Sequence, residues 1–180
     1  MDKLLKTLIP PENPHNTGNE EQWQGIFNII GTKLPSDYMR FIQTYGTGGI
    51  DNFLWILTPF VKDKNVNFLS RQKEITDAYI QSKTNFPQFY KHNVYPSAGG
   101  LLPWAYTDNG DELYWLTEGK LDEWKIVVYE SRSPESYTYP LNMMDFLYQI
   151  ITRQLVCDAF PDDFPSDVPE FVPVDVGWEL

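Results

Sequence analysis

One cysteine, two histidines and no apolar run of membrane length set the first limits on this 180-residue chain. A lone Cys157 excludes an intramolecular disulfide framework and any CxxC zinc or redox pair, and with Leu155 and Val156 beside it the residue reads as a buried structural thiol. His15 and His92 stand far apart, outside any HExxH or HxH arrangement and far from the cysteine, so no metal ligand set is expected. No stretch approaches the roughly 18 apolar residues a membrane span requires. Met1 to Pro10 holds leucines and lysines but no apolar run of signal-peptide length and no small-residue cleavage site. The expectation is a cytoplasmic protein with no membrane partner.

Positive charge is scarce as well. Lys and Arg number 14 against 25 Asp and Glu, a net charge of −11 that repels nucleic acid and anionic lipid. No nucleic-acid partner is expected, and a basic protein partner would be attracted. The same acidity also serves solubility.

Catalytic signatures are missing too. There is no GxSxG elbow and no GxxxxGK[ST] phosphate loop, and Gly46, Gly48 and Gly49 form no phosphate cradle. Asp108-Asn109-Gly110-Asp111-Glu112 lacks the alternate-residue spacing and distant glutamate of a calcium loop. Among so many acids, some carboxylate pair will always fall at glycosidase separation, so no pair is informative. The chain reads as no enzyme, with no cofactor.

What the chain has in abundance is aromatic material: 11 Phe, 11 Tyr and 6 Trp, enough to build a core without disulfides or metals. Trp23, Trp55, Trp104, Trp115 and Trp124 fall on expected helix or strand faces, where core packing is the simpler use than a saccharide platform. One domain over 1–180 is expected, with an N-terminal extension over 1–18 and an acidic, proline-rich tail over 158–180.

A short helix is expected over Met1 to Leu8, then a loop marked by Pro10, Pro11, Pro14 and Gly18. Trp23, Ile26, Phe27 and Ile30 recur at i, i+3, i+4, i+7, which predicts a helix from Asn19 or Glu20 to a stop at Gly31. Pro35 opens a second, with Asp37 in its first turn and Tyr38, Phe41, Ile42 and Tyr45 on one face. Ile50 to Phe60 reads as a first strand and Asn67 to Ser82 as a helix, followed by an irregular segment to Gly100. Three strands follow: Leu101 to Thr107, Glu112 to Thr117 and Trp124 to Glu130. Asn109-Gly110 predicts a tight hairpin turn with positive φ between the first two. Short connections argue for an antiparallel meander and an α+β fold. A last helix is expected from Asn142 to Cys157, apolar on most of its circumference. In the tail, Phe160-Pro161, Phe164-Pro165, Val168-Pro169 and Val172-Pro173 repeat every four residues, which forbids a continuous helix. Asp158 to Leu180 holds seven acids and no base. Its apolar residues, ending with Trp178, suggest a segment docked along the domain in extended form.

The order of these pieces resembles the SUKH superfamily, bacterial immunity proteins related to a fungal regulator of cell-wall glucan synthesis. The resemblance is carried by Trp23, Ile26 and Ile30, by Leu34-Pro35-Ser36-Asp37-Tyr38 with Phe41, and by Tyr45-Gly46-Thr47-Gly48-Gly49. It continues through Leu102-Pro103-Trp104-Ala105, Asp108-Asn109-Gly110-Asp111 with Leu113 and Trp115, Trp124-Lys125-Ile126-Val127-Val128, and finally Phe146-Leu147 with Ile150-Ile151. It implies a mostly antiparallel central sheet packed by N-terminal and C-terminal helices, no catalysis, and a protein that binds and neutralises a cognate toxin, frequently a nuclease. Other members are regulatory or scaffold proteins of cell-wall or signalling pathways, which is the alternative reading. A carbohydrate-active enzyme or lectin is a third. Candidate contacts to a basic toxin domain are Asp108, Asp111 and Glu112 at the hairpin turn and Asp162, Asp163 and Asp167 in the tail. Leu34, Pro35, Gly48 and Gly110 are assigned to structure.

Overall fold

The computed structural model describes residues 2–174. Five helices and seven strands follow one another in the order α1 (Asp2–Thr7), α2 (Glu20–Ile30), α3 (Ser36–Tyr45), β1 (Gly48–Ile50), β2 (Leu54–Ile56), α4 (Phe68–Asn85), β3 (Leu101–Thr107), β4 (Glu112–Leu116), β5 (Lys125–Tyr129), β6 (Ser136–Tyr139), α5 (Met143–Ile151) and β7 (Phe171–Pro173). The strands form a single sheet ordered β6-β5-β4-β3-β2-β1-β7, with every neighbouring pair antiparallel. This is the expected α+β meander, with the C-terminal strand added beside β1. None of the described helices is long and apolar enough to cross a membrane.

Local signals explain the helices. Asn19 caps α2, its side chain accepting from the Gln22 N–H while the Gln22 side chain accepts from the Asn19 N–H. Asp37, in the first turn of α3, ties that helix to α5: one carboxylate oxygen accepts from the Tyr38 N–H at 2.8 Å and the other from the Met144 N–H at 3.0 Å. Burial pushes this carboxyl above the usual aspartate range. Asn67 and Asn142 cap α4 and α5 in the same manner as Asn19.

Alternation along the strands sends neighbouring side chains to opposite faces. Tyr114 meets Tyr79 of α4 on one face, while Trp115 meets Tyr38 of α3 on the other. Phe146 of α5 stands edge-on to Trp104, which stacks on Trp115. Trp23, Trp104, Trp115 and Trp124 are buried, as the sequence suggests, while Trp55 is half-buried and donates its Nε1–H to Asp108 at 3.0 Å.

Several expected boundaries change. Ile50 to Phe60 is not one strand: Asp51 and Asn52 both adopt φ 53°, and the chain reverses into the β1–β2 hairpin. Asp and Asn tolerate the left-handed region because their short side chains bond locally, and two such residues in succession make the tight turn that matches strand twist. Gly48 and Gly49, which lie before the expected strand, belong to β1. The Asn109-Gly110 turn exists, but only Gly110 has positive φ, at 89°. The loop spans three residues, with the Thr107 N–H donating to the Asp111 carbonyl and the Gly110 N–H to the Thr107 carbonyl, both at 2.9 Å. The last helix stops at Ile151, not Cys157, because Arg153 enters the left-handed region and turns the chain back. The strand β6 has no counterpart in the sequence reading.

The tail docks as expected over its described part. Phe160, Phe164 and Phe171 are buried, and β7 pairs with β1. Trp178, included in that expectation, lies outside the described residues. Cys157 is buried, and burial pushes its thiol up.

Candidate functional site

An antiparallel meander delivers alternate turns to the same end of its sheet. Here Ile50 opposes Leu54, Leu54 opposes Thr107, Tyr106 opposes Glu112, Glu112 opposes Tyr129, and Tyr129 opposes Ser136. The β1–β2, β3–β4 and β5–β6 turns therefore emerge together. Phe171 opposes Ile50, so the tail arrives at this end as well. The two acidic segments singled out in the sequence, some fifty residues apart, are thus brought onto one surface.

Three aspartates stitch that surface together. Asp51 receives the tail: its carboxylate accepts from the Ser166 N–H and the Glu170 N–H, each at 2.8 Å, and from Ser166 Oγ at 3.2 Å. Asp108 joins neighbouring turns, its N–H donating to the Phe53 carbonyl at 2.9 Å and its carboxylate accepting from Trp55. Asp111 accepts from Thr107 Oγ1 at 2.6 Å and from the Ser131 N–H at 2.9 Å, which binds the β3–β4 turn to the β5–β6 turn. Beneath the tail, Phe53 packs on Phe164 and Phe160, with ring centroids 4.6 and 5.8 Å away. Arg153 directs its guanidinium to the Asp162 and Pro165 carbonyls.

The six candidate contacts separate on this geometry. Asp108, Asp162, Asp163 and Asp167 are exposed at this end. Asp111 is only 2% exposed, and its carboxylate is engaged by the fold's own donors. Glu112 is half-buried, accepts from the Tyr114 hydroxyl, and is pushed up by burial to about 7. Exposed Asp158 and Glu170 and half-buried Asp51 and Glu130 add to the same surface but were not singled out from sequence. The Asp51-Asn52 dipeptide was the available signal, a two-residue turn capable of facing the other loops.

Electrostatically the surface is acid-dominated, with Arg132 and Arg153 as its neighbouring cations. Among the described residues the ion pairs are Arg71–Glu74, Lys120–Glu123 and Lys125–Glu118, none of which involves an acid of this end. Carboxylates that outnumber the neighbouring Arg132 and Arg153 create a negative potential that raises the encounter rate with a basic body. Among the described residues no group of three or more metal-ligating side chains converges.

No curated protein and no solved structure gives a significant match to this chain. A family model does match, SUKH_6, described as SMI1-KNR4 cell-wall, over residues 20–147. That span runs from the start of α2 into α5 and takes in the three turns of the acid-rich end, whereas α1 and the tail lie outside it. With most of its length covered and the meander in place, the chain belongs to the SMI1-KNR4 cell-wall family, within the SUKH superfamily.

Proposed function

We propose that this protein is a non-enzymatic immunity-type protein that binds and neutralises a cognate bacterial toxin, with the acid-rich end of the sheet as its contact surface. The observation that supports this reading most strongly is the meeting of Asp108 with Asp162, Asp163 and Asp167 on one acid-dominated surface, none of them in an ion pair among the described residues. A nuclease offers a positive cleft to phosphate, and a rigid array of carboxylates can cover that cleft stoichiometrically. Rim charges of this kind act chiefly on association rate and its salt dependence.

The test is co-expression with the product of the neighbouring gene, scoring rescue from toxicity and co-purification at low and high salt. A variant carrying D108N, D162N, D163N and D167N should keep its fold but associate at least tenfold more slowly at low salt, with a flattened salt response. Rescue and salt dependence unchanged in that variant would remove this surface from the mechanism. The family description names the cell wall, which favours as second reading a regulatory or scaffold protein of such a pathway. Absence of rescue and of any complex with the neighbouring gene product would move the balance to it.

A further inference from the structure

Next to the acid-rich end, α4 and the β3–β4 and β5–β6 turns enclose a cavity of about 130 Å³. Three tyrosine rings wall it. Tyr90 and Tyr129 stack with centroids 5.5 Å apart and planes within 6°, and Tyr79 stands edge-on to them at 5.3 and 5.1 Å. Their polar tips are partly engaged already, since the Tyr79 and Tyr129 hydroxyls lie 3.1 Å apart and Tyr129 reaches His92 Nδ1 at 2.8 Å. Glu112 and Glu130 supply carboxylates to the lining, and Arg132 completes it.

Glu112 has no cation bonded to it among the described residues. Arg71 faces it from α4, but that guanidinium pairs with Glu74 at 3.0 Å and lies 4.7 Å from the Tyr106 ring centroid. Lys83 is held on the His92 carbonyl and Asn93. Arg132 is exposed and enters none of the ion pairs among the described residues. Asp111, the other charge acting on Glu112, has the same sign.

We propose that this cavity receives a single cationic side-chain head, an arginine guanidinium or a lysine ammonium, from a protein partner, with Glu112 as counter-ion and Tyr79, Tyr90 and Tyr129 as walls. The inference rests on the reading of a basic protein partner and names the chemistry that partner would insert. A cation over aromatic faces is attracted by their quadrupole, more so when partly desolvated. A half-buried carboxylate without a bonded cation gains most from an arriving one, because its desolvation has already occurred in folding. Since burial holds the Glu112 carboxyl at about 7, protonation competes with cation binding near neutrality. The cation favours the ionised form, so binding strengthens as pH rises from 6 to 8, by about tenfold from the change in ionised fraction. Burial lowers His92 from its ordinary value.

The experiment uses the full chain and three probes: N-acetyl-arginine amide, N-acetyl-lysine amide with a free side-chain amine, and N-acetyl-citrulline amide as the neutral isostere. Tyrosine-ring NMR shifts are followed at pH 6 and pH 8. Both cations should give saturable shifts at Tyr79, Tyr90 and Tyr129, about tenfold weaker in affinity at pH 6, and citrulline should give none. E112Q, an isostere of the protonated acid, should fold normally and lose the pH response and most of the binding. E21Q, on exposed α2, should retain both. Equal shifts with citrulline, no saturation, or an unaltered pH response in E112Q would overturn the proposal. No toxin enters this assay, so its failure would leave the immunity reading standing. Intact probe binding without toxin rescue would instead implicate the choice of partner.

Discussion

Gly48 of β1 packs tightly against β7, and it offers the sharpest test of how the tail is held. A Cβ at this residue would fall on the Val172 carbonyl oxygen and within 2.6 Å of Phe171 Cζ. Real Cβ atoms do not approach that closely, and one of the colliding groups is backbone, which has no rotamer to swing away. Gly48→Ala therefore displaces β7. Displacement exposes Phe171, whose burial is worth about 1.5–3 kcal/mol. It also endangers the bonds from the Asp51 N–H to the Glu170 carbonyl at 2.9 Å and from the Val174 N–H to the Thr47 carbonyl at 3.0 Å, each worth about 0.5–1.5 kcal/mol net. The Asp51 carboxylate and the Phe53–Phe164 contact still hold the tail upstream, so the expected loss is about 2–5 kcal/mol, confined first to β7. Urea unfolding and amide hydrogen exchange read the two parts separately. The midpoint should fall, and the Val172 and Val174 amides should lose protection while those of β4 and β5 keep theirs. Gly49→Ala serves as the contrast: its new Cβ meets Trp55 Cε3 at 2.8 Å, part of a half-buried side chain, and the Leu54 carbonyl oxygen at 3.1 Å, so it crowds β2 and leaves β7 in place. A Gly48→Ala protein with protected β7 amides and an unfolding free energy within about 0.5 kcal/mol of the parent would refute the reasoning.

Asp111→Ala should cost about 2–4 kcal/mol in denaturant unfolding, because it leaves the Thr107 hydroxyl and Ser131 N–H without their acceptor in a buried place; Asp108→Ala, at the exposed neighbour, should cost well under half of that. Glu112 makes stability depend on pH with a definite sign. Its carboxyl is held at about 7 in the folded chain against an ordinary 4.5, so between those values the folded state binds more protons than the unfolded one. Stability should therefore fall as pH rises from about 4.5 to about 7 and then level off, and the difference between the parent and E112Q in pH-dependent denaturation isolates this term. Cys157, buried with its thiol pushed up, should resist alkylation in the native protein and react freely in denaturant. Fast native labelling would contradict its burial.

Much of the fold was legible because its elements announce themselves locally. The apolar spacing of α2 and α3, the asparagine caps, and the β3 residues Leu101 to Thr107 each carry their own periodicity or stop signal. Shorter pieces escaped. The three residues of β1 are two glycines and an isoleucine, too few to show alternation, and become a strand only through pairing with β2 and β7. The β6 sequence Ser136–Tyr139 does alternate Ser, Tyr, Thr, Tyr, but over four residues, too short a run to mark a strand until it pairs with β5.

The acid-rich site divides along the same line. Composition alone determined that the chain is strongly negative, that the tail holds much of that charge, and that a single cysteine can form no intramolecular disulfide. Only the tertiary structure decided which acids share a surface, since charge is a property of residues and a potential is a property of their positions. Sheet registry placed the β1–β2, β3–β4 and β5–β6 turns at one end, and Asp51 and Phe53 brought the tail to meet them. The same folding drew Asp111 inside, where its hydrogen bonds serve the turns, and left Asp108 facing solvent three positions away. Nothing in the local sequence distinguishes those two aspartates. The difference is made by Thr107 and Ser131, donors that only the folded chain sets beside Asp111.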